Sequence, residues 1–373
     1  MEVVYFVLIF FAISVNSVAI HGPMLTRYNP CSLGVLYFDK LTNISWQGTI
    51  NFSLYPNITD ADIEITFDKP IRIFGNELNI QSYNATQPDD KYYRQVCGRR
   101  ALHNAELSSI KTDAKAGDWP WHVAVLIREN ISIYARYQCG GNIISRTAVL
   151  TAAHCLFYNS LPIHISRLLI EAGVDNLKLF NQPGRQLLNA VDVIVNPAYK
   201  SDESTADLAI IRVNAFRYTD YVQPICLWGP SYDKSNLYGQ MAVVVGFGTT
   251  EENQLSDTLR STFTVVQNDT TCISYSPQLY TSLLNEFTFC AGLDPNAGTS
   301  PLQGDSGGGL SISTVQPDHK VSWFLRGVLS KCGISDGETI CNPKYYVIYT
   351  DVGPHYGWIY HHAGLNYFSN IVY

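Results

Sequence analysis

Short apolar runs that end in Gly, Pro or polar turn residues recur along the C-terminal part of the chain. They lie at residues 122–127, 148–151, 208–213, 242–245 and 324–329. Runs of this length and composition are typical of β-strands, and the 26 Gly and 17 Pro residues leave little room for long helices. The pattern predicts an all-β barrel or sandwich, and it excludes a coiled coil, a collagen-like chain and extensive disorder.

The 373 residues are enough for one large domain and one small one. Residues 20–96 alternate in the manner of β-strands and predict a small β domain. Residues 97–112 show no sustained periodicity, which predicts an exposed linker that holds the activation region. Residues 113–373 form the larger domain, in which apolar side chains at helical spacing predict a C-terminal helix at 353–363.

Residues 1–19 predict a secretory signal peptide. The apolar run from Val3 to Val15 is shorter than the ~20 residues that a membrane-spanning helix needs. Small residues near the end of this segment allow cleavage before Ile20. An uncleaved anchor is the alternative, because the basic residues usual at the start of a signal peptide are absent. We expect a secreted, extracellular protein without a membrane span.

Nine cysteines and six Asn-X-Ser/Thr sequons agree with passage through the secretory pathway. No Cys-x-x-Cys pair or His cluster has the spacing of a metal site, so the cysteines indicate disulfides, and we expect no metal and no cofactor. Their odd number leaves one thiol over. The sequons predict glycans at Asn43, Asn51, Asn57, Asn84, Asn130 and Asn268.

The charge pattern excludes one class of partner. The formal net charge is -7, and no long cluster of Lys and Arg interrupts the chain. Nucleic acid, whose phosphates bind basic surfaces, is therefore not an expected partner.

Three polar residues stand in patterns that suit nucleophilic catalysis. Ser306 lies in the run GDSGGG, where the glycines allow a tight turn that exposes the hydroxyl beside converging backbone N–H groups. His154 follows an apolar run and offers a base, and Asp207 precedes another run, where a buried carboxylate requires a partner. A purely structural glycine-rich turn is the alternative for the serine run.

The order His154, Asp207, Ser306 resembles the catalytic triad of the chymotrypsin-like serine proteases. The resemblance covers residues 119–364, and it is carried by WPW at 119–121, CGG at 139–141, TAAHC at 151–155, PICL at 224–227, GFG at 246–248 and GVLS at 327–330. It implies two six-stranded β-barrels with the active site between them, together with the predicted C-terminal helix.

The resemblance also implies a role for each residue. Ser306 would attack the carbonyl carbon of a peptide, His154 would take the proton and return it to the leaving amine, and Asp207 would hold the imidazole. The backbone N–H groups of Gly304 and Ser306 would form the oxyanion hole. Ser330 matches the family serine that hydrogen-bonds near the triad acid.

The family pattern implies most of the disulfides. It pairs Cys139 with Cys155, Cys272 with Cys290, and Cys97 with Cys226. The family cysteine that bonds across the specificity pocket is replaced by Leu302, so we expect Cys332 to pair with Cys341 instead. Cys31 is left as a free thiol or an intermolecular partner.

The residues that match the family's primary specificity pocket are unusual. Ser300 stands at the floor of the pocket, where family members that cleave after Lys or Arg carry an acid. Cys332 and Val347 match wall positions that are usually glycine, and Lys331 matches an aromatic residue that contacts substrate. Bulk at these positions predicts a narrow pocket and no preference for Lys or Arg. Shifted loops that place these residues on the surface are the alternative.

The activation segment also departs from the family. Family members are activated by cleavage before a sequence like Ile-Val-Gly-Gly, whose new amine pairs with the acid beside the nucleophile, here Asp305. The register places the new N-terminus at Ser108, after Leu107, and neither an Ile nor a preceding basic residue is present. Cleavage after Arg99 or Arg100 would leave the new N-terminal segment too long, and cleavage after Lys111 would leave it too short. We expect no efficient activation by a trypsin-like protease.

Residues 20–96 resemble the small domain that precedes the protease in the insect gastrulation-defective proteases. The resemblance rests on NPC at 29–31, ISWQG at 44–48 and FDKPIR at 67–72. It implies a zymogen in an extracellular proteolytic cascade, with a protein substrate, an upstream activator and an extracellular inhibitor.

The sequence therefore predicts a secreted serine endopeptidase made as a zymogen. One alternative is a catalytically weak or inactive protease-like binding or regulatory protein. Another is that the N-terminal domain is the effector and the protease domain only modulates it.

Overall fold

The computed structural model divides the chain into two compact units, Met1–Gln87 and Pro88–Tyr373. In the first unit it describes the backbone of five short strands. In the second unit it describes residues 97–101, 111–128, 135–229, 233–249, 254–293, 305–316, 319–334, 341–342 and 344–365.

The described part of the first unit is made of strands. They are β1 Phe6–Leu8, β2 Arg27–Tyr28, β3 Leu36–Lys40, β4 Trp46–Ile50 and β5 Ile63–Ile65. Strands β2, β3 and β4 form an antiparallel sheet with β3 in the centre, and β1 pairs with β5 in parallel. Strand β1 lies within residues 1–19, and the signal peptide there stays a prediction, as do the domain boundaries.

The second unit is mostly β. Its strands are β6 Lys111–Asp113, β7 His122–Arg128, β8 Ala135–Ser145, β9 Ala148–Thr151, β10 Phe157–Tyr158, β11 Leu161–Pro162, β12 Leu168–Ala172, β13 Gln186–Val195, β14 Ala209–Val213, β15 Cys226–Leu227, β16 Met241–Gly246, β17 Arg260–Val265, β18 Thr288–Ala291, β19 Gly309–Val315, β20 Val321–Lys331 and β21 Val347–Asp351. Its α-helices are α1 Asp269–Tyr275, α2 Pro277–Leu283 and α3 Tyr356–Ala363. Within the described residues, no helix has both the length and the apolar character needed to cross a membrane.

Six of these strands close into a barrel in the order β12-β13-β14-β9-β8-β7. All neighbours in the barrel are antiparallel. Strands β9 and β14 have nearly continuous apolar sequences and are almost entirely buried. These two strands are buried on both faces, because the barrel interior covers one face and helix α3 contacts both strands.

The remaining strands form an open sheet in the order β18-β21-β20-β19-β16-β17-β6, with β15 parallel beside β20. The core of this half-barrel includes Val244, Phe289, Leu310, Leu329 and Tyr349, each no more than 3 % exposed. The rings of Phe289 and Tyr349 are stacked with centroids 5.5 Å apart. Apolar side chains that point inward from facing strands thus build a second core.

The predicted all-β class is confirmed: the second unit holds one closed six-stranded barrel and one half-barrel. The C-terminal helix is confirmed, although it begins at Tyr356 because Gly353 and Pro354 form a turn before it. The sequence interpretation missed α1 and α2. Each has seven residues, too few for a helical period to stand out.

The prediction of an exposed linker is wrong for its first two residues, Cys97 and Gly98, which are buried and paired, whereas Ala101 is exposed. Cys97 forms a disulfide with Cys226, and both are buried. The N–H of Gly98 donates to Pro224 O at 2.8 Å, and its carbonyl accepts from Trp323 N at 2.9 Å. The glycine has φ +64, a conformation that other residues rarely adopt. At the other end, β6 is paired with β17.

Four disulfides lie in the described residues, and they join the pairs that the sequence analysis expected. They are Cys97–Cys226, Cys139–Cys155, Cys272–Cys290 and Cys332–Cys341. Cys31 lies outside the described residues.

Candidate active site

His154 stands at one end of the closed barrel. Strand β9 ends at Thr151, and the chain turns at once into a 3₁₀ helix, Ala153–Leu156, that carries His154. The disulfide from Cys155 to Cys139 on β8 fixes this turn to the neighbouring strand. The side chain of His154 is 33 % exposed, so a substrate can reach the imidazole while the backbone beneath it is held.

The Asp207 carboxylate is buried beneath this imidazole. It is 1 % exposed and precedes the buried strand β14. Its Oδ2 accepts from His154 Nδ1 at 2.7 Å and from Ser330 Oγ at 2.6 Å, and its Oδ1 accepts from the backbone N–H of His154 at 2.9 Å. Three donors therefore satisfy a charge that would otherwise be costly to bury.

These contacts shift the pKa of both partners. Burial alone would raise the pKa of Asp207, but the His154 charge and the hydrogen bonds from His154 and Ser330 outweigh it, so this pKa is lowered. Burial alone would lower the pKa of His154, but the charge and hydrogen bond of Asp207 outweigh it, so this pKa is raised. The nearby Lys331 ammonium opposes that rise. The pair is thus stabilised in its ionised form.

Ser306 lies on a turn that packs against the His154 segment. Its carbonyl accepts from the backbone N–H of Gly140 at 2.8 Å, and it is partly exposed. Gly307 follows with φ +76, and a Cβ there would lie 2.2 Å from Thr151 Oγ1 and 3.2 Å from Ala152 N. Only glycine allows this approach, which brings Ser306 beside the segment that leads into His154.

The side chain of Asp305, on the same turn, lies against Gly246 and Gly248. Its Oδ1 accepts from the backbone N–H of Gly248 at 2.9 Å. A Cβ at Gly246 or Gly248 would lie within 2.4 Å of the carboxylate, so two glycines make room for it. Burial, and then the charge of Asp305, raise the pKa of the Tyr137 and Tyr349 hydroxyls. The partly buried acid therefore lies near two buried tyrosine hydroxyls.

A family model described as Trypsin matches residues 110–359, more than half of the chain. The chain belongs to the trypsin family. Over 303 residues it is 27% identical to "Serine protease gd" of Drosophila melanogaster, an alignment that covers 71% of this chain and 56% of the relative. Over 303 residues it is also 29% identical to "Ovochymase" of Halocynthia roretzi, which covers 78% of this chain and 17% of the relative.

These comparisons confirm the resemblance to chymotrypsin-like serine proteases and to the gastrulation-defective protease. The chain spans about half the length of one of these curated relatives and a much smaller part of the other.

Three residues that the sequence predicts for the substrate pocket lie at the end of β20, just after it, and at the start of β21. Lys331 ends β20, and its Nζ donates to the carbonyl of Asp202 at 2.5 Å. Burial lowers the pKa of this Lys331 ammonium, against the raising effect of Asp207 and other nearby acids. Cys332 is partly exposed in its disulfide, and Val347 is 1 % exposed at the start of β21. The Lys331 side chain thus links the end of β20 to the segment before Asp207 by a hydrogen bond.

Several residues of the predicted site lie outside the described residues. They are Ser300, Leu302, Gly304, Leu107, Ser108, Asn43, Asn51, Asn57, Asn84 and Asn130. The remaining sequon residue, Asn268, is exposed at the N-cap of α1, where its side chain accepts from the backbone N–H and hydroxyl of Thr270.

Sequence reasoning missed the contacts that hold Ser204 and Thr205, the residues just before Asp207, in place. Ser204 Oγ lies 3.0 Å from Ser330 Oγ, and its carbonyl accepts from Thr350 Oγ1 at 2.8 Å. The carbonyl of Thr205 lies 2.8 Å from His355 Nε2. These contacts join segments more than 100 residues apart, so no local motif signals them.

Within the described residues, Cys139, His154 and Cys155 are close enough together to suggest a metal site. Their ligand atoms lie within 4.8 Å of one another. Both sulfurs belong to one disulfide, however, so neither is a thiolate that could bind a metal.

Proposed function

We propose that this protein is a secreted serine endopeptidase, made as a zymogen, that cleaves protein substrates with Ser306, His154 and Asp207. The observation that carries the proposal is the bonding of one buried carboxylate. The Asp207 carboxylate accepts hydrogen bonds from both the ring Nδ1 and the backbone N–H of His154, beside the turn that carries Ser306. Membership of the trypsin family supports the same reaction.

The contact with Asp207 sets the protonation of His154. Because Oδ2 accepts from Nδ1, the neutral ring carries its proton at Nδ1 and has its lone pair at Nε2. Nε2 is then the base that takes the proton of Ser306 as its oxygen bonds to the substrate carbonyl carbon. The resulting imidazolium, stabilised by Asp207, passes the proton to the leaving amine. Water then repeats the sequence and releases the acid, restoring Ser306.

The oxyanion of the intermediate would be held by the backbone N–H groups of Gly304 and Ser306. Asp305 beside them is the acid that a new N-terminal amine would reach after cleavage near Leu107. Its position supports this role, because the side chain of Asp305 lies against Gly246 and Gly248 and already accepts the backbone N–H of Gly248, on the same turn as Ser306. An ordering partner in place of cleavage is the other route to an active site.

The proposal also covers the substrate preference of the enzyme, its extracellular location and its place in a proteolytic cascade. The neutral Ser300 supports cleavage after small or apolar residues rather than after Lys or Arg. The four disulfides support an oxidising, extracellular location. A place in a cascade, with an activator and an inhibitor, is supported by the likeness to a relative named "Serine protease gd".

A second candidate function is that of a weak or inactive protease-like binding protein. One observation favours it. The Nζ of Lys331 donates to the carbonyl of Asp202, and its ammonium is close enough to His154 to lower the pKa of the imidazole. A lysine held beside the proposed base would favour binding or regulation over cleavage.

Labelling with a fluorophosphonate distinguishes the two functions. The full chain is secreted from cultured cells, its fragments are identified by N-terminal sequencing, and each is exposed to the probe. We expect a fragment that labels at Ser306, loss of labelling in Ser306→Ala, and normal labelling in Ser313→Ala, a control on the exposed edge of β19. A wild-type protein that never labels, in any processed form, would favour the binding protein.

A further inference from the structure

His355 is a buried histidine that the proposed mechanism does not use. It forms the N-cap of α3, and it is 3 % exposed. Its ring lies against Phe287, with centroids 5.6 Å apart. A polar ring in such surroundings requires hydrogen-bond partners, and these partners reveal what the residue does.

The two ring nitrogens of His355 face Thr205 and Asn196, which both precede Asp207 in the chain. Nε2 lies 2.8 Å from the carbonyl oxygen of Thr205, and Nδ1 lies 3.5 Å from the side-chain nitrogen of Asn196. A carbonyl oxygen can only accept, so the proton belongs on Nε2, and Nδ1 can then accept from the Asn196 amide. Burial lowers the pKa of His355 to about 4, so the ring is neutral near pH 7.

The two partners of His355 hold the chain on either side of Asp207. Thr205 precedes the acid by two residues. The backbone N–H of Asn196 donates to the carbonyl of Leu208, the residue after the acid, at 2.9 Å. Asn196 is buried, and its side-chain oxygen accepts from Ala198 N at 3.0 Å, which turns its amide nitrogen toward the imidazole.

We propose that His355 is a positioning residue that fixes the Thr205–Leu208 segment and thereby keeps the Asp207 carboxylate against His154. The inference deepens the proposed function and rests on it for its catalytic consequence. The 2.7 Å bond between Asp207 and His154 requires the carboxylate to stay in place. Without the Nε2 donor, the Thr205 carbonyl loses a buried partner, and the segment can shift.

The test compares His355→Leu with two matched variants. His355→Gln keeps an amide that can donate to Thr205. Ser145→Ala removes a buried hydrogen bond, Oγ to Ala363 O at 2.9 Å, from the opposite end of the same helix. For each variant, kcat and KM are measured, and the pKa of His154 is determined by NMR titration, which needs no turnover.

For His355→Leu we expect kcat to fall about 10²-fold with little change in KM, the effect of a displacement of about 1 Å at a catalytic group. The pKa of His154 should fall toward 6.5, because a displaced Asp207 stabilises the imidazolium less. His355→Gln should restore most of both values, and Ser145→Ala should change neither.

Two results would overturn the proposal. One is a wild-type pKa for His154 in His355→Leu, and the other is an equal pKa change in Ser145→Ala, which would show that the helix merely needs support. If His355→Leu does not fold, Asn196→Ser removes the amide that faces the ring while its hydroxyl can still accept from Ala198. A lowered His154 pKa in a protein whose wild type never cleaves would support this inference and contradict the proposed protease activity.

Discussion

The hydroxyl of Ser330 and the imidazole of His154 bond to the same oxygen atom, Oδ2 of Asp207, at 2.6 and 2.7 Å. The residue on β20 and the residue after β9 are thus joined through one buried charge. This links the half-barrel to the closed barrel at the site. The strength of the link depends on pH, because both hydrogen bonds are strongest while Asp207 is ionised.

Ser330→Ala should destabilise the protein at neutral pH by about 1.5–3 kcal/mol, the usual worth of a hydrogen bond to a charged group. The pKa of Asp207 is lowered in the folded state, so the stability it contributes is present above 3.8 and is lost as the pH falls. Urea unfolding at several pH values measures this. The deficit should shrink at acid pH, and Ser313→Ala should show none; a deficit that is independent of pH contradicts the assignment.

Proteolytic activity should rise with pH through a pKa above 6.5. The mechanism needs neutral His154, whereas the contacts of Asp207 raise the pKa of this imidazole. The stability that the charged imidazole contributes runs the other way: it is complete below 6.5 and is lost as the pH rises through the raised pKa. The pH profile of kcat/KM tests the first statement, and melting temperatures of wild type and His154→Ala test the second. A kinetic pKa below 6.5 would be inconsistent with the raised value.

Lys331→Gln should raise the kinetic pKa of His154 further. The ammonium disfavours the imidazolium, so removing its charge lets the ring hold its proton to higher pH. Activity above that pKa should also increase if Lys331 obstructs the cleft. Lys344→Gln, at an exposed residue near β21, serves as the control for loss of one positive charge. An unchanged or lowered kinetic pKa in Lys331→Gln would contradict the prediction.

Gly307→Ala should prevent formation of the Ser306 turn. Its φ of +76 is strained for alanine, and the added Cβ would lie 2.2 Å from Thr151 Oγ1. Gly239→Ala isolates the first effect, the strained φ, since Gly239 has φ +80 and nothing within 4 Å of an added Cβ. We expect Gly239→Ala to cost about 1–2 kcal/mol and Gly307→Ala to cost clearly more and to abolish labelling. Equal melting temperatures for the two variants would show that the close approach does not matter.

Trypsin should cut the exposed loop at Lys178 before it cuts after Arg100. The Arg100 side chain is only 8 % exposed, and its guanidinium lies 4.8 Å above the Trp119 ring and close to Asp118. The Lys178 side chain is 73 % exposed. Mass spectrometry of a short digest measures the order, and Trp119→Ala should make the bond after Arg100 more sensitive. Early cleavage after Arg100 that yields full activity would contradict both this protection and the expected activation register.

The sequence predicted the fold class because strand runs and glycine turns are local features. The sequence could not predict the long-range contacts that support Asp207, since His355 belongs to no motif and lies next to Thr205 only in the folded protein. Ser330 was identified through the family resemblance, not through its surroundings. Arg100 was interpreted as exposed linker because nothing in its local sequence shows that Trp119 will cover it.

The disulfide between Cys97 and Cys226 bridges any cut made between Ala101 and Lys111. A processed molecule would migrate as one species on a gel without reductant and as two with it. The N-terminal segment would travel wherever the catalytic part diffuses, and if it adheres to a surface, it would confine proteolysis there and raise the local enzyme concentration.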